Sequence, residues 1–171
     1  MMTAVVFADG APEELAATLG ALVPAVVDGL IGDAVIVARQ ANPVMTRIAE
    51  VAGANLVMSS PNADPWRTGA VHARREWLLC LSSGDVPAEG WMRAVDRFLA
   101  SSARVGQPLA RFSRRRTGPA SALINVAERV IGTRTVRAGD LVRRDWLTAG
   151  NPARVRSVRI GAAIERDLVL R

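Results

Sequence analysis

"EWLLCLSSGDVPAEGW", residues 76–91, decides how the chain is read. Trp77–Leu81 is continuously apolar rather than alternating, the pattern of a strand buried on both faces of a sheet. Two serines and a glycine stop it. Pro87, Glu89 and Trp91 then lead into a helix expected over Ala88–Ser101, with Trp91, Val95, Phe98 and Leu99 as its apolar positions. Asp85 is the one carboxylate of the turn. It is either part of a ligand site or the residue that begins the turn capping the next helix.

The same strand–turn–helix unit recurs upstream. "TAVVF", Thr3–Phe7, precedes a turn at Asp9–Gly10 and a helix opened by Pro12, Glu13 and Glu14. Leu15, Leu19, Leu22 and Val26 mark its apolar face, and Pro24 is expected to end or kink it. "DAVIVA", Asp33–Ala38, is a second strand. The following helix has Asn42 as cap, Pro43 at its first position and Gly53 at its end. "NLVMS", Asn55–Ser59, is a third strand, and Arg67–Arg75 is helical with small packing residues Ala70, Val71 and Ala73.

Strands separated by helices argue for an α/β protein, a three-layer sandwich around a mostly parallel sheet. Ligands in such sheets bind beyond the carboxyl ends of the strands. That rule selects Ala8–Gly10, Arg39–Asn42, Ser59–Asp64 and Ser82–Asp85. Beyond residue 103 the pattern loosens: a strand around Leu109–Phe112, a basic loop, a helix over Ser121–Ile131 stopped by Gly132, a strand and helical turn in "AGDLVRRDWLTAG", and a closing strand and helix. The 171 residues read as one domain, 1–103 a nucleotide-binding-like half and 104–171 a short basic half.

Composition removes several chemistries. All 22 basic residues are arginine, with formal net charge +6. Residues 1–103 hold 7 arginines against 11 acids, and residues 104–171 hold 15 against 5. That asymmetry suits either a solvated basic face or contact with phosphates, nucleic acid or anionic lipid. One histidine, His72, leaves little room for a Ser–His–Asp arrangement, and its place among small helical residues suggests a structural role. The lone Cys80 excludes an internal disulfide and reads as a small buried hydrophobe. Trp66, Trp77, Trp91 and Trp146 read as packing residues. Neither a glycine-rich phosphate loop nor a nucleic-acid recognition motif is present. No signal peptide or membrane-spanning run is recognised, so the expected location is cytoplasmic, with peripheral contact at the inner membrane face as an extension.

The order of these features resembles the family 2 glycosyltransferases, whose catalytic domain has the GT-A fold, and in particular their short bacterial members. The resemblance rests on "VVFADGAPEELAATLGAL", "DAVIVARQANPVMTRIAEVAGANLVMSS", "RTGAVHARREWLLCLSSGDVPAEGWMRAVDRFL" and "IGTRTVRAGDLVRRDWLTAG". It implies a GT-A-like, Rossmann-like fold and transfer of a sugar from a nucleotide-activated donor. In that family a DxD turn after the fourth strand holds a divalent cation on the diphosphate, and other carboxylates hold the nucleoside and deprotonate the acceptor. Here DxD and the following Asp correspond to Ser82, Ser83, Gly84 and Asp85, so the metal carboxylates are missing and no metal ligand is assigned. The acidic turn after the second strand is replaced by Ala38, Arg39 and Gln40.

The resemblance leaves Asp9, Gly10, Arg39, Arg67 and Asp85 as nucleotide-binding candidates and Asp140 as the candidate base. Asp9 is equally a turn residue, and Asp140 equally a carboxylate paired with Arg137 or Arg143. Arg39, Arg67 or the Arg114–Arg116 loop would replace the charge of the metal. Three functions follow: a divergent glycosyltransferase using a nucleotide-sugar, an inactive relative serving as a binding module, or a basic module meeting anionic membrane or nucleic acid through Arg111, Arg114, Arg115 and Arg116.

Overall fold

A computed structural model describes residues 1–40, 42–114, 132–149 and 153–166. The helix expected over Ser121–Ile131, the terminal helix, and Arg115 and Arg116 lie outside these residues. The first half follows the expected order: β1 (Met2–Ala8), α1 (Pro12–Val27), β2 (Ile31–Ala38), α2 (Pro43–Ala52), β3 (Asn55–Met58), α3 (Pro65–His72) and β4 (Trp77–Ser82). The second half adds β5 (Asp85–Pro87), α4 (Trp91–Val105), β6 (Leu109–Arg114), β7 (Asp140–Arg143), α5 (Arg144–Thr148) and β8 (Val158–Arg166).

Local chemistry explains the best-read helix. The Asn42 side chain accepts from the Val44 and Met45 N–H groups at 2.9 and 3.4 Å, Pro43 occupies the first turn, and Gly53 leaves the helix at φ 63°. Helix α1 departs from expectation at Pro24. It runs three residues further, because the missing N–H falls in the last turn while the Pro24 carbonyl still accepts from Asp28 N–H at 3.0 Å. The buried stripe is Leu15, Thr18, Leu22 and Ala25, and Val26 is exposed. In α3, Ala70 and Ala73 are buried as expected, but Val71 faces solvent.

The strands form one eight-stranded sheet in the order β3-β2-β1-β4-β7-β6-β8-β5. The pairs β1–β2, β1–β4, β2–β3 and β6–β8 are parallel, and β4–β7, β6–β7 and β5–β8 antiparallel. Alternation along the strands feeds two cores. Met2, Ala4, Val6, Leu79, Leu81 and Leu141 join α1, α2 and α4 on one face. Val5, Leu78, Cys80 and Val142 join α3 and α5 on the other. Two helical layers therefore cover the sheet, which is why its central strands carry no polar face.

The tryptophans behave as packing residues. Trp66 and Trp91 are buried, and Trp77 meets Phe98 edge-on at 5.4 Å. Cys80 is buried, and burial pushes its thiol well above its ordinary range, which suits a small core hydrophobe. Asp85 does not cap α4. That helix begins at Trp91, where the Ala88 and Gly90 carbonyls take the first bonds, while Asp85 opens β5 and pairs with β8. Pairing with a distant strand overrode the local capping signal.

Candidate functional site

Strand order reverses beside β1: β2 lies on one side of it and β4 on the other. Helix α1 leaves β1 over one face, and α3 enters β4 over the opposite face. The carboxyl ends of β1 and β4 thus meet at a topological switch point, where open α/β sheets bind ligands. The loops Ala8–Gly10 and Ser82–Asp85 belong to this point, and Arg39 follows the neighbouring end of β2.

The serine turn closes on itself and on its neighbours. Ser83 N–H donates to the Phe7 carbonyl at 3.0 Å, and Ser83 Oγ donates to the same oxygen at 3.4 Å. Gly84 N–H is shared between the Glu14 carbonyl at 3.1 Å and Thr18 Oγ1 at 2.9 Å. Ser82 N–H donates to Asp85 Oδ2 at 2.9 Å. Ser83 and Asp85 have no exposed surface. Asp85 therefore fixes its own turn and, in this conformation, offers no surface to a ligand.

A divalent cation does not fit this donor set. Mg²⁺ and Mn²⁺ favour oxygen ligands with carboxylate character. The turn presents two serines and a glycine, and its one carboxylate is committed to Ser82. Among the described residues no group of three or more His, Cys, Asp and Glu is placed to hold a metal. Restoring the acids is not expected to restore a site. Gly84 sits at φ 82°, so a side chain there costs about 1–2 kcal/mol, and Ser82 is buried. The double variant Ser82→Asp, Gly84→Asp is expected to melt at lower temperature and to show no Mn²⁺-dependent rise. Stabilisation by Mn²⁺ in a melting experiment would show that the turn can open.

The other candidates separate by what holds them. Asp9 is exposed at the end of β1, tethered only through its N–H to the Phe7 carbonyl at 3.1 Å. A Cβ on Gly10 would collide with Glu14 Oε2 and lie 3.3 Å from Ser83 Cβ, so the Glu14 carboxylate folds over Gly10 beside the serine turn. Sequence reasoning missed Glu14 as a site carboxylate. An acid in the first turn of a helix looks the same whether it serves the helix dipole or a site.

Arg39 is exposed, and its guanidinium lies over the Phe7 ring at 5.1 Å. Arg67, also exposed, donates to the Ala149 and Thr148 carbonyls at 2.7 and 3.4 Å and so ties α3 to the end of α5. His72 is exposed in the last turn of α3, so the expected structural role has no packing behind it.

Asp140 is wholly buried on β7. Arg111 Nε and Nη2 donate to its two oxygens at 2.7 and 2.9 Å, and Arg137 N–H adds a bond at 2.9 Å. Burial pushes its carboxyl up, and the Arg111 bond and charge oppose that shift. Its bidentate partner is thus Arg111 across the β6–β7 ladder, with the Arg137 charge adding to it, and it is an interior group rather than a surface one. A carboxylate so clamped has no free oxygen for an acceptor hydroxyl. The same bond corrects the basic-patch expectation. Arg111 is turned inward, with 15% of its side chain exposed, and does not contribute to a surface patch.

No protein-family model and no curated protein matches the sequence. Solved structures share the architecture. Glucosyl-3-phosphoglycerate synthase from Mycobacterium tuberculosis, in complex with phosphoglyceric acid, matches with TM-score 0.65 and 12% identity over 96% of this chain and 71% of that one. The same enzyme with Mn²⁺, UDP and glucosyl-3-phosphoglycerate gives 0.63 and 11% over 96% and 71%. Mannosyl-3-phosphoglycerate synthase from Rubrobacter xylanophilus gives 0.64 and 10% over 97% and 67%. The chain has the GT-A fold. At this identity the likeness is one of architecture, and within the GT-A fold the switch point beside β1 is where the described candidates Asp9, Gly10, Glu14 and Arg39 collect. Among the described residues no helix is long and apolar enough to cross a membrane.

Proposed function

We propose that the chain is a divergent glycosyltransferase-like protein that binds a nucleotide-activated sugar at the carboxyl ends of β1, β2 and β4. One observation carries this reading. The Rossmann-like switch point is retained, and Asp9 and Arg39 stand exposed at its rim. Residues 1–103 supply the nucleotide-binding half and 104–171 the shorter half. The resemblance to family 2 glycosyltransferases and the fold likeness to synthases crystallised with UDP and UDP-glucose agree on the class of donor. Asp9 and Gly10 contact the nucleoside, and Arg39 contacts the phosphates.

A second reading has its own support. The closed serine turn removes the carboxylates that the family's reaction uses, which favours a binding module without turnover. One experiment tests both. Melting temperatures are measured with UDP-, GDP- and CMP-sugars, and sugar release or transfer is followed for any that stabilise the protein. Stabilisation with turnover supports the first reading, and stabilisation without turnover the second. If no nucleotide-sugar shifts the melting temperature, both are wrong.

A further inference from the structure

Three sets of arginines were candidates to meet a diphosphate, and their bonding differs. Arg67 is committed to the carbonyls of Thr148 and Ala149. Of the Arg114–Arg116 loop, the Arg114 side chain, Arg115 and Arg116 lie outside the described residues, and Arg111, a basic-patch residue, is committed to Asp140. Arg39 alone among the described candidates makes no hydrogen bond or ion pair with a described residue, and its guanidinium lies over the face of Phe7.

Phe7 joins that cation to the serine turn. Its backbone pairs with Val37 on β2 and Ser82 on β4. Its carbonyl takes the Ser83 N–H and Oγ, so the residue is fixed against the turn. Its ring meets Trp66 edge-on at 6.1 Å and carries the Arg39 guanidinium on its face. A cation over an aromatic face is attracted by the ring without spending its N–H groups on hydrogen bonds. An exposed arginine so placed carries a fork of donors matched to phosphate oxygens.

We propose that Arg39, seated on Phe7, is the diphosphate-binding cation of this site, and that nucleoside diphosphates bind here without a divalent metal. The inference rests on the nucleotide-sugar reading above. It identifies the ligand feature read at the mouth of β2 as the diphosphate rather than the base. The serine turn lacks the acids to hold a cation on that diphosphate, and Arg39 supplies positive charge from the end of β2, across β1 from the turn. Phe7 is a positioning residue in this scheme, because it acts only through Arg39.

The test is calorimetric titration of the full chain with UDP, GDP, uridine and guanosine, in EDTA and in Mn²⁺. Expected is binding of at least one diphosphate in EDTA with affinity unchanged by Mn²⁺. Arg39→Ala should weaken that diphosphate by about tenfold or more and leave the nucleoside unchanged, since the nucleoside has no phosphate for the fork to hold. Arg39→Lys should fall between, keeping charge without the fork. Phe7→Leu should weaken the diphosphate several-fold in wild-type Arg39 and have no effect in Arg39→Ala. Arg39 is exposed, so its variants should melt like the parent protein. Diphosphate binding that requires Mn²⁺, or that Arg39→Ala leaves intact, overturns the inference while the nucleotide reading stands. Failure of every nucleotide in both buffers overturns the reading and the inference together.

Discussion

Arg111→Ala is expected to lower folding stability by about 3–5 kcal/mol, because it strands a carboxylate with no route to water. Asp140 has no exposed surface, and Arg111 supplies two of its bonds. The pair also lies across the β6–β7 ladder, with Cys80 of β4 on the other side of Asp140. It therefore ties β6 to β7 at the seam between the parallel half of the sheet and the rest. In a chain of this length the loss corresponds to a fall in melting temperature of about 10 °C or more.

Asp140→Asn is informative in a second way. It keeps the shape and the Arg137 N–H acceptor but removes the buried negative charge that Arg111 holds with two bonds. The structure predicts a large fall in melting temperature for it as well. A general base would behave differently: turnover would be lost while melting stayed at the parental value. That second outcome would return Asp140 to the catalytic role implied by the family resemblance. Replacing both residues with apolar ones of similar volume should recover much of the loss, since removing a buried pair together is far less costly than breaking it.

Gly69→Ala should also destabilise, against helix propensity. Alanine is worth about 1 kcal/mol over glycine inside a helix. At Gly69 the new Cβ would collide with Val5 Cγ1 and lie 3.2 Å from Val37 Cγ2, both short branched side chains within the sheet. Overpacking of this kind costs about 1–3 kcal/mol, so the clash should offset or exceed the propensity gain. The sign of the coupling is the sharper measurement. Val5→Ala alone opens a cavity and destabilises. Combined with Gly69→Ala, the new methyl occupies part of that cavity, and the double variant should be more stable than the sum of the single changes allows. Additive losses in denaturant titrations would show that α3 does not sit against β1 as closely as described. The position matters for the site because α3 carries Trp66, which flanks Phe7 and hence Arg39.

Much of this architecture was legible beforehand. Continuous apolar strands, Asn42 before Pro43, Gly53 after α2 and the amphipathic run from Trp91 each encode a local preference that neighbours reinforce. Those signals were enough to find β1 to β4, the helices between them and the loops at the strand ends. That "SSGD" holds a single acid is likewise a property of residue type and needs no coordinates.

Tertiary structure decided what the remaining charged groups do. Asp85 looked like a helix cap because capping is local, yet it fixes its own turn within a strand paired to β8. Asp140 found its partner 29 residues away, through a ladder that places β7 between β4 and β6. Arg39 and Arg67 look alike in sequence, but the Arg39 guanidinium lies over the Phe7 ring and Arg67 is spent on backbone carbonyls. The sequence by itself determined the periodicities and the Asn42 cap, because these depend on residues a few positions apart. Only the fold determined which arginines are tied to carbonyls and carboxylates, because that depends on which distant groups the sheet brings within hydrogen-bonding reach.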